Sequence, residues 1–279
     1  MPWPLPSDEA TRLQLAKGYP YQAPAASYLF CRDIIVSSLP QDWHPDVFEA
    51  RSPVIAHGSN RAPDQLRRKY GNLSGVSKQI GMADIGAEPL TLKAAAQFTE
   101  IPVTLTRLYD YEVVYSAHMT RYGAVAANLQ HAPGAEVDIF ITWLNPSQLQ
   151  RMHDTELGGG IYRFGRLKGV RINQPPGPLP QVTDVFVYLS EAGCLRVGDR
   201  PAGLSAIPAA RRQFPALSQL EALQAVRDRL APGRDLDDFI LNIIADPLFR
   251  RDAIAVLRAD AIALQAPHFE REDSDGNAS

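Results

Sequence analysis

The spacing of apolar and polar positions changes along this chain, and the changes divide it. Ser52-Pro53-Val54-Ile55-Ala56 is a short apolar run of strand character. It leads into His57-Gly58-Ser59-Asn60, after which Pro63 opens a helical octet, P-D-Q-L-R-R-K-Y, closed by Gly71. From Ile101 the period becomes two, predicting strands over 103–105, 111–116, 124–129 and 137–144. His131-Ala132-Pro133-Gly134 reads as the turn between the last two. A helix then starts at Asn145, the run Gly158-Gly159-Gly160 ends it, and strands follow over 162–167 and 182–189. Short strands with turn signals between them predict a small barrel. After Ser218 the period returns to 3.6: Ser218 and Glu221 fit a capping box for a helix to Leu230, with further helices over 235–245 and 247–264.

The flanks are less regular. Residues 1–50 are Pro-rich: Ser7 is placed to cap a short helix through Lys17, 28–36 has strand-like content, and 39–45 reads as a turn. Residues 72–100 form a long excursion with a helix near 90–98. The expected fold is therefore α+β: a small mixed β-barrel with flanking helices over 51–214, preceded by an N-terminal arm (1–50). Helices over 215–265 form a C-terminal lobe, and an acidic, disordered tail (266–279) follows. An apolar stripe on those helices packs on its own barrel or serves as a partner-binding lobe. No internal repeat is visible.

Composition removes several function classes. With 45% hydrophobic and 21% charged residues among 279, the chain reads as soluble and globular. A net charge of −3 and dispersed arginines give no electrostatic case for nucleic acid or an anionic membrane. No apolar run approaches a membrane span, and the start lacks a basic-then-apolar leader, so the expected compartment is cytoplasmic. Two cysteines, Cys31 and Cys194, are too few for a disulfide framework. The histidines at 44, 57, 118, 131, 153 and 268 form no metal-binding pattern, so neither metal nor cofactor is expected.

The chemistry concentrates in the helix from Asn145 to Glu156. Asn145 is a good N-cap, Pro146 suits the first helical position and Gln148 completes a capping box. Leu149, Met152, His153 and Glu156 fall at i, i+3, i+4 and i+7, on one face. Glu156 thus points inward beside apolar neighbours, where desolvation would raise its pKa toward neutrality and suit it to proton transfer. The same phase admits a structural reading, in which Glu156 sits in a frayed last turn and pairs with Arg163 or Arg166. His153 reads as a core histidine bonded to a backbone carbonyl, or as a group tuning Glu156. Trp43 and Trp143 are core or rim aromatics.

His57-Gly58-Ser59-Asn60, between a strand and a helix, can turn successive N–H groups toward an anion. Gly58 permits close approach. A Ser59 nucleophile with His57 as base is the competing reading, but the G-x-S-x-G elbow is absent.

In order and spacing these elements resemble the gamma-glutamylcyclotransferase family. That family opens with a strand ending in Y-G-S-N, against Ala56-His57-Gly58-Ser59-Asn60 here. A strand pair, a G-x-A segment and P-G-x-x-V follow, matched by 110–115, Gly123-Ala124-Val125-Ala126 and Pro133-Gly134-Ala135-Glu136-Val137. The family's L-D-x-x-E helix, then G and Y, is similar to Met152-His153-Asp154-Thr155-Glu156, then Gly160-Ile161-Tyr162. The likeness covers about residues 52–190. It implies Glu156 as catalytic acid/base, with His57, Gly58, Ser59, Asn60, Tyr162 and Tyr188 around the substrate. The implied activity is a transferase or lyase reaction that cyclises a γ-glutamyl amine or peptide to 5-oxoproline. The alternatives are cleavage of another amide or isopeptide by the same glutamate, or an inactive binding or scaffolding module. The implied partner is a small γ-glutamyl compound, with homodimerisation left open. Two departures bear on specificity: His57 replaces the loop tyrosine, and the glycine expected two positions after P-G-x-x-V is missing from Val137-Asp138-Ile139. Met152-His153 in place of L-D is a mild swap at the first position and puts a titratable ring near the active helix at the second.

Overall fold

The computed structural model describes residues 3–31, 34–36, 46–71, 100–177 and 179–272. The turn expected over 39–45, the excursion over 72–99 with its helix, Trp43 and His44 lie outside those residues.

Eight strands carry the architecture: β1 (Tyr28–Cys31), β2 (Ile34–Val36), β3 (Ser52–Ala56), β4 (Ile101–Met119), β5 (Val125–Leu144), β6 (Tyr162–Leu167), β7 (Ile172–Asn173) and β8 (Val185–Ser190). The helices are α1 (Glu9–Lys17), α2 (Pro63–Tyr70), α3 (Pro146–Glu156), α4 (Gln219–Leu230), α5 (Leu236–Ala245) and α6 (Pro247–Ala259), with one turn at Asp46–Glu49. The helix at the N-terminus is capped by Asp8, whose side chain accepts from the Thr11 amide, and not by Ser7 as expected.

The centre of the sheet runs β4-β5-β3-β8-β6, antiparallel except for the parallel pairing of β3 with β8. Gly203–Leu204 pairs with β4 on one side, and Phe269–Arg271 forms the far edge against β6. This last strand falls inside the segment that reads as a polar tail.

Among the described residues the sheet is open, and the expected barrel does not close. The reason lies in β4 and β5. Four short strands are expected between 103 and 144, yet these residues build two strands of 19 and 20 residues. Pro133-Gly134 does not reverse the chain. Asp110 (φ 64°) and Gly134 (φ 83°) lie opposite each other, and the Asp110 carboxylate accepts from the Gly134 amide at 2.8 Å. The register shifts between Tyr109 and Tyr111 and pairing resumes, which makes this a bulge. The reversal comes at 120–124 instead, where Thr120 Oγ1 accepts from the Ala124 amide and Gly123 has φ 83°.

Both faces of β4 and β5 are covered. Val113, Tyr115, Leu129 and Ile141 share one core with Leu223, Phe239, Ile240 and Leu257 of α4–α6. The apolar stripe of the C-terminal helices therefore packs on the chain's own sheet. A smaller core joins Val54, Leu66, Tyr70, Phe140, Met152 and Tyr188, and it seats α2 and α3 on the opposite side. The capping boxes expected at Asn145/Gln148 and Ser218/Glu221 are both present. Because β3 pairs with β5, the loop after Ala56 and the helix after Leu144 are brought to one place.

Candidate functional site

A cavity of about 480 Å³ opens where the β3–α2 loop, the last turn of α3 and the N-terminal arm converge. Glu156 is at its inner end. The Glu156 carboxylate accepts from Asn60 Nδ2 at 3.0 Å, across 96 positions of sequence. It is also in an ion pair and hydrogen bond with Lys69 Nζ, which donates to Met152 Sδ as well, at 3.2 Å. The Lys69 side chain is 3% exposed and that of Glu156 17%. The expected arginine partners are engaged elsewhere: Arg163 with Glu191 and Arg166 with Glu272.

Local structure explains the pairing. On α2, Leu66, Lys69 and Tyr70 share a face, and all three are buried. Tyr70 donates to the Gln148 carbonyl at 2.9 Å, and Arg151 Nε donates to the Lys69 carbonyl at 2.8 Å. These bonds clamp α2 to α3, so Lys69 must face Glu156.

The electrostatic outcome reverses the sequence expectation. Burial pushes the Glu156 carboxyl up. The Lys69 charge and hydrogen bond, the Asn60 amide and the His57 ring pull it down further, and the net position is below the ordinary carboxylate value. Glu156 is therefore an ionised base at rest, not a carboxyl poised near neutrality. Burial pushes the Lys69 ammonium down, and Glu156 opposes that shift.

His57, Gly58, Ser59, Asn60, Glu156, Tyr162 and Tyr188 all line the cavity. His57 and Ser59 do not pair as base and nucleophile. The Ser59 side chain lies beside the Tyr122 hydroxyl, and the His57 ring beside the Ala127 backbone. Tyr188 bonds His153 Nδ1 at 2.8 Å, so the histidine's partner is a phenol and not the expected carbonyl. The turn after Gly58 is closed by bonds donated from Arg61 and Ala62, so the Ser59 and Asn60 amides take no part in closing it. Two buried polar atoms, His57 Nδ1 and Asn60 Oδ1, have no protein partner. Such atoms mark a place for a polar ligand.

The cavity also holds residues that the sequence does not single out, among them Trp3, Tyr19, Lys69, His118 and Tyr122. Lys69 carries the same inward-phase signal as Glu156. The others come together only in the fold. Trp3 and Tyr122 rings lie 5.6 Å apart and Tyr19 and Tyr122 6.5 Å, so the N-terminal arm forms a wall of the cavity. Its Tyr19 hydroxyl accepts from the Ala127 amide at 2.8 Å. A Cβ on Gly58 would lie 2.5 Å from that hydroxyl and 3.3 Å from the Ala127 Cβ. Gly58→Ala is therefore expected to displace Tyr19 and lower unfolding free energy by about 1–3 kcal/mol in urea titration. An unchanged midpoint would show that the arm yields freely.

His118, 3% exposed, bonds Ser116 Oγ at 2.8 Å and meets the Tyr162 ring edge-on at 5.4 Å. Burial pushes both His57 and His118 down to about 4. Unfolding returns each to about 6.5, so between these values the unfolded chain binds more protons. Stability should fall as pH drops from about 6.5 through 4, by up to about 3 kcal/mol per histidine. Glu156, with its lowered pKa, adds a loss of the same sign at the acid end. Urea midpoints measured from pH 7 to 4 test this, and His118→Gln should flatten the slope. A flat profile for the unmodified protein would contradict neutral burial.

No protein-family model matches this chain, and no curated protein does. Among solved structures it is similar to one titled gamma-glutamyl cyclotransferase. That alignment covers 82% of this chain and 94% of the other, at 14% identity and a TM-score of 0.33. Among the described residues, no helix is long and apolar enough to cross a membrane.

Proposed function

We propose that this protein cyclises a γ-glutamyl amine or peptide to 5-oxoproline and a free amine, with Glu156 as the proton-transferring carboxylate. The observation that carries this reading is the Asn60–Glu156 hydrogen bond. It joins the ends of the motif order G-S-N … E at the inner end of a cavity sized for a small ligand.

The chemistry follows from the groups present. The α-amine of a γ-glutamyl compound is protonated at neutral pH and must lose a proton before it attacks its own γ-carbonyl. An ionised Glu156 is ready to take that proton, and can return one to the leaving amine. The Asn60 carbonyl oxygen is placed to accept from the same ammonium. The Ser59 and Asn60 amides are the donors available to the α-carboxylate or the developing oxyanion. The cavity walls, Tyr19, Tyr162 and Tyr188, hold the chain folded for ring closure. No cofactor enters any step.

One observation favours a second reading, a binding module without turnover: Lys69 already neutralises Glu156. The two separate in one assay. A panel of γ-glutamyl peptides and amines is incubated with the protein, and 5-oxoproline is measured. Release supports cyclisation. Ligand-dependent thermal stabilisation with no release supports the module.

A further inference from the structure

We propose that Arg121 and Arg250 form an anion-binding subsite in the outer part of the cavity, for a carboxylate on the part of the ligand remote from Glu156. The proposal rests on the cyclisation reading only for the inner half of that ligand.

Both arginines line the cavity, half-exposed, whereas Lys69 at the inner end is buried. Both are fixed in place. Arg121 lies over the Trp3 indole, 4.5 Å from its centroid, and its Nη2 donates to the Trp3 carbonyl. Arg250 Nη1 donates to the Ile243 carbonyl at 2.6 Å and to that of Ile244 at 3.5 Å, at the end of α5. Each guanidinium spends one terminal nitrogen on main-chain carbonyls and has five N–H donors in all. Arginines such as Arg107, Arg163 and Arg196 meet a carboxylate within 4 Å; among the described residues Arg121 and Arg250 do not. Asp246, the cap of α6, acts on Arg250 electrostatically without an ion pair to it among the described residues, and its Oδ1 accepts from the Leu248 and Phe249 amides.

The two cations are also neighbours: Gly123, two residues on from Arg121, packs against Ile244, whose carbonyl accepts from Arg250, and the Arg250 charge adds to burial in pushing the Arg121 guanidinium down. Two immobilised like charges in a half-desolvated wall are unfavourable without an anion between them, and favourable with one. After burial, the influences on the Glu156 carboxyl are Lys69, Asn60 and His57, and neither arginine is among them. The remaining charges of the wall are Lys69 against Glu156, and Asp154, which accepts from Gln150. An elongated ligand with a second anion at its outer end is the one this charge pattern selects.

The test compares γ-glutamylglycine with γ-glutamylethylamide, which is of similar length and lacks the outer carboxylate. Binding is measured by calorimetry and turnover by 5-oxoproline release, on the unmodified protein, Arg121→Gln and Arg250→Gln. The unmodified protein should favour the glycine compound by about tenfold or more in Kd or in kcat/KM. Each variant should lose most of that preference while handling the ethylamide as before. A merely structural arginine would instead weaken both compounds alike. Equal handling of the two by the unmodified protein overturns the subsite, whether or not 5-oxoproline appears, and so does the absence of binding by either. Discrimination in binding that depends on both arginines, without any 5-oxoproline, upholds the subsite and defeats the cyclisation reading alone.

Discussion

Glu156→Gln should lower 5-oxoproline release by about 10²–10⁴-fold, the range a positioned acid/base group contributes. The amide keeps the shape of the carboxyl and can still accept from Asn60 Nδ2. It cannot take a proton from the substrate ammonium. The substitution also strips Lys69 of its counter-charge at a position 3% exposed. Removing one partner of a buried pair costs about 3–5 kcal/mol where both are fully enclosed, and less here because Glu156 is partly open. Turnover must therefore be measured below the variant's unfolding transition, with circular dichroism to show the folded fraction. A folded variant that still releases 5-oxoproline at the original rate would remove Glu156 from the mechanism.

Much of this site is legible in local sequence, because helical phase and capping are short-range. Asn145, Pro146 and Gln148 define where α3 begins, and from that start the inward side of Met152 and Glu156 follows. The same reasoning applied to α2 would have turned Lys69 inward beside Leu66 and Tyr70. The octet is so polar that its single leucine gives no obvious stripe. Without Lys69, desolvation is the only force visible on Glu156, and the predicted pKa shift has the wrong sign. The barrel fails for a different cause. Pro133-Gly134 has turn chemistry, and only the Asp110 carboxylate, 24 positions away, makes it a bulge within one long strand. The arm is the extreme case. Nothing near Trp3 or Tyr19 indicates that they meet Tyr122, more than a hundred positions on, and wall a cavity.

Lys69→Met is the variant that separates a working base from a neutralised structural pair. Methionine has similar length, and Met152 already lies against the position, so the side chain can be accommodated. What disappears is the ammonium that holds Glu156 ionised. Burial then opposes ionisation with only Asn60 and His57 against it, and the carboxyl should rise. If Glu156 acts as a base, the acid limb of kcat/KM must move up by the same amount. Activity at pH 5 then falls about tenfold for each unit by which the new pKa exceeds that pH, while much of it returns at pH 8. Stability should change slope in the opposite way. In the unmodified protein the lowered carboxyl contributes stability above its unfolded value, which is lost as pH falls through the folded one. In Lys69→Met the raised carboxyl contributes stability at low pH, which is lost as pH rises through the new folded value. An acid limb that stays in place while the stability lost on acidification becomes smaller in Lys69→Met would mean that Glu156 titrates as described and takes no part in turnover. That result would leave the cavity as a binding site whose carboxylate is structural.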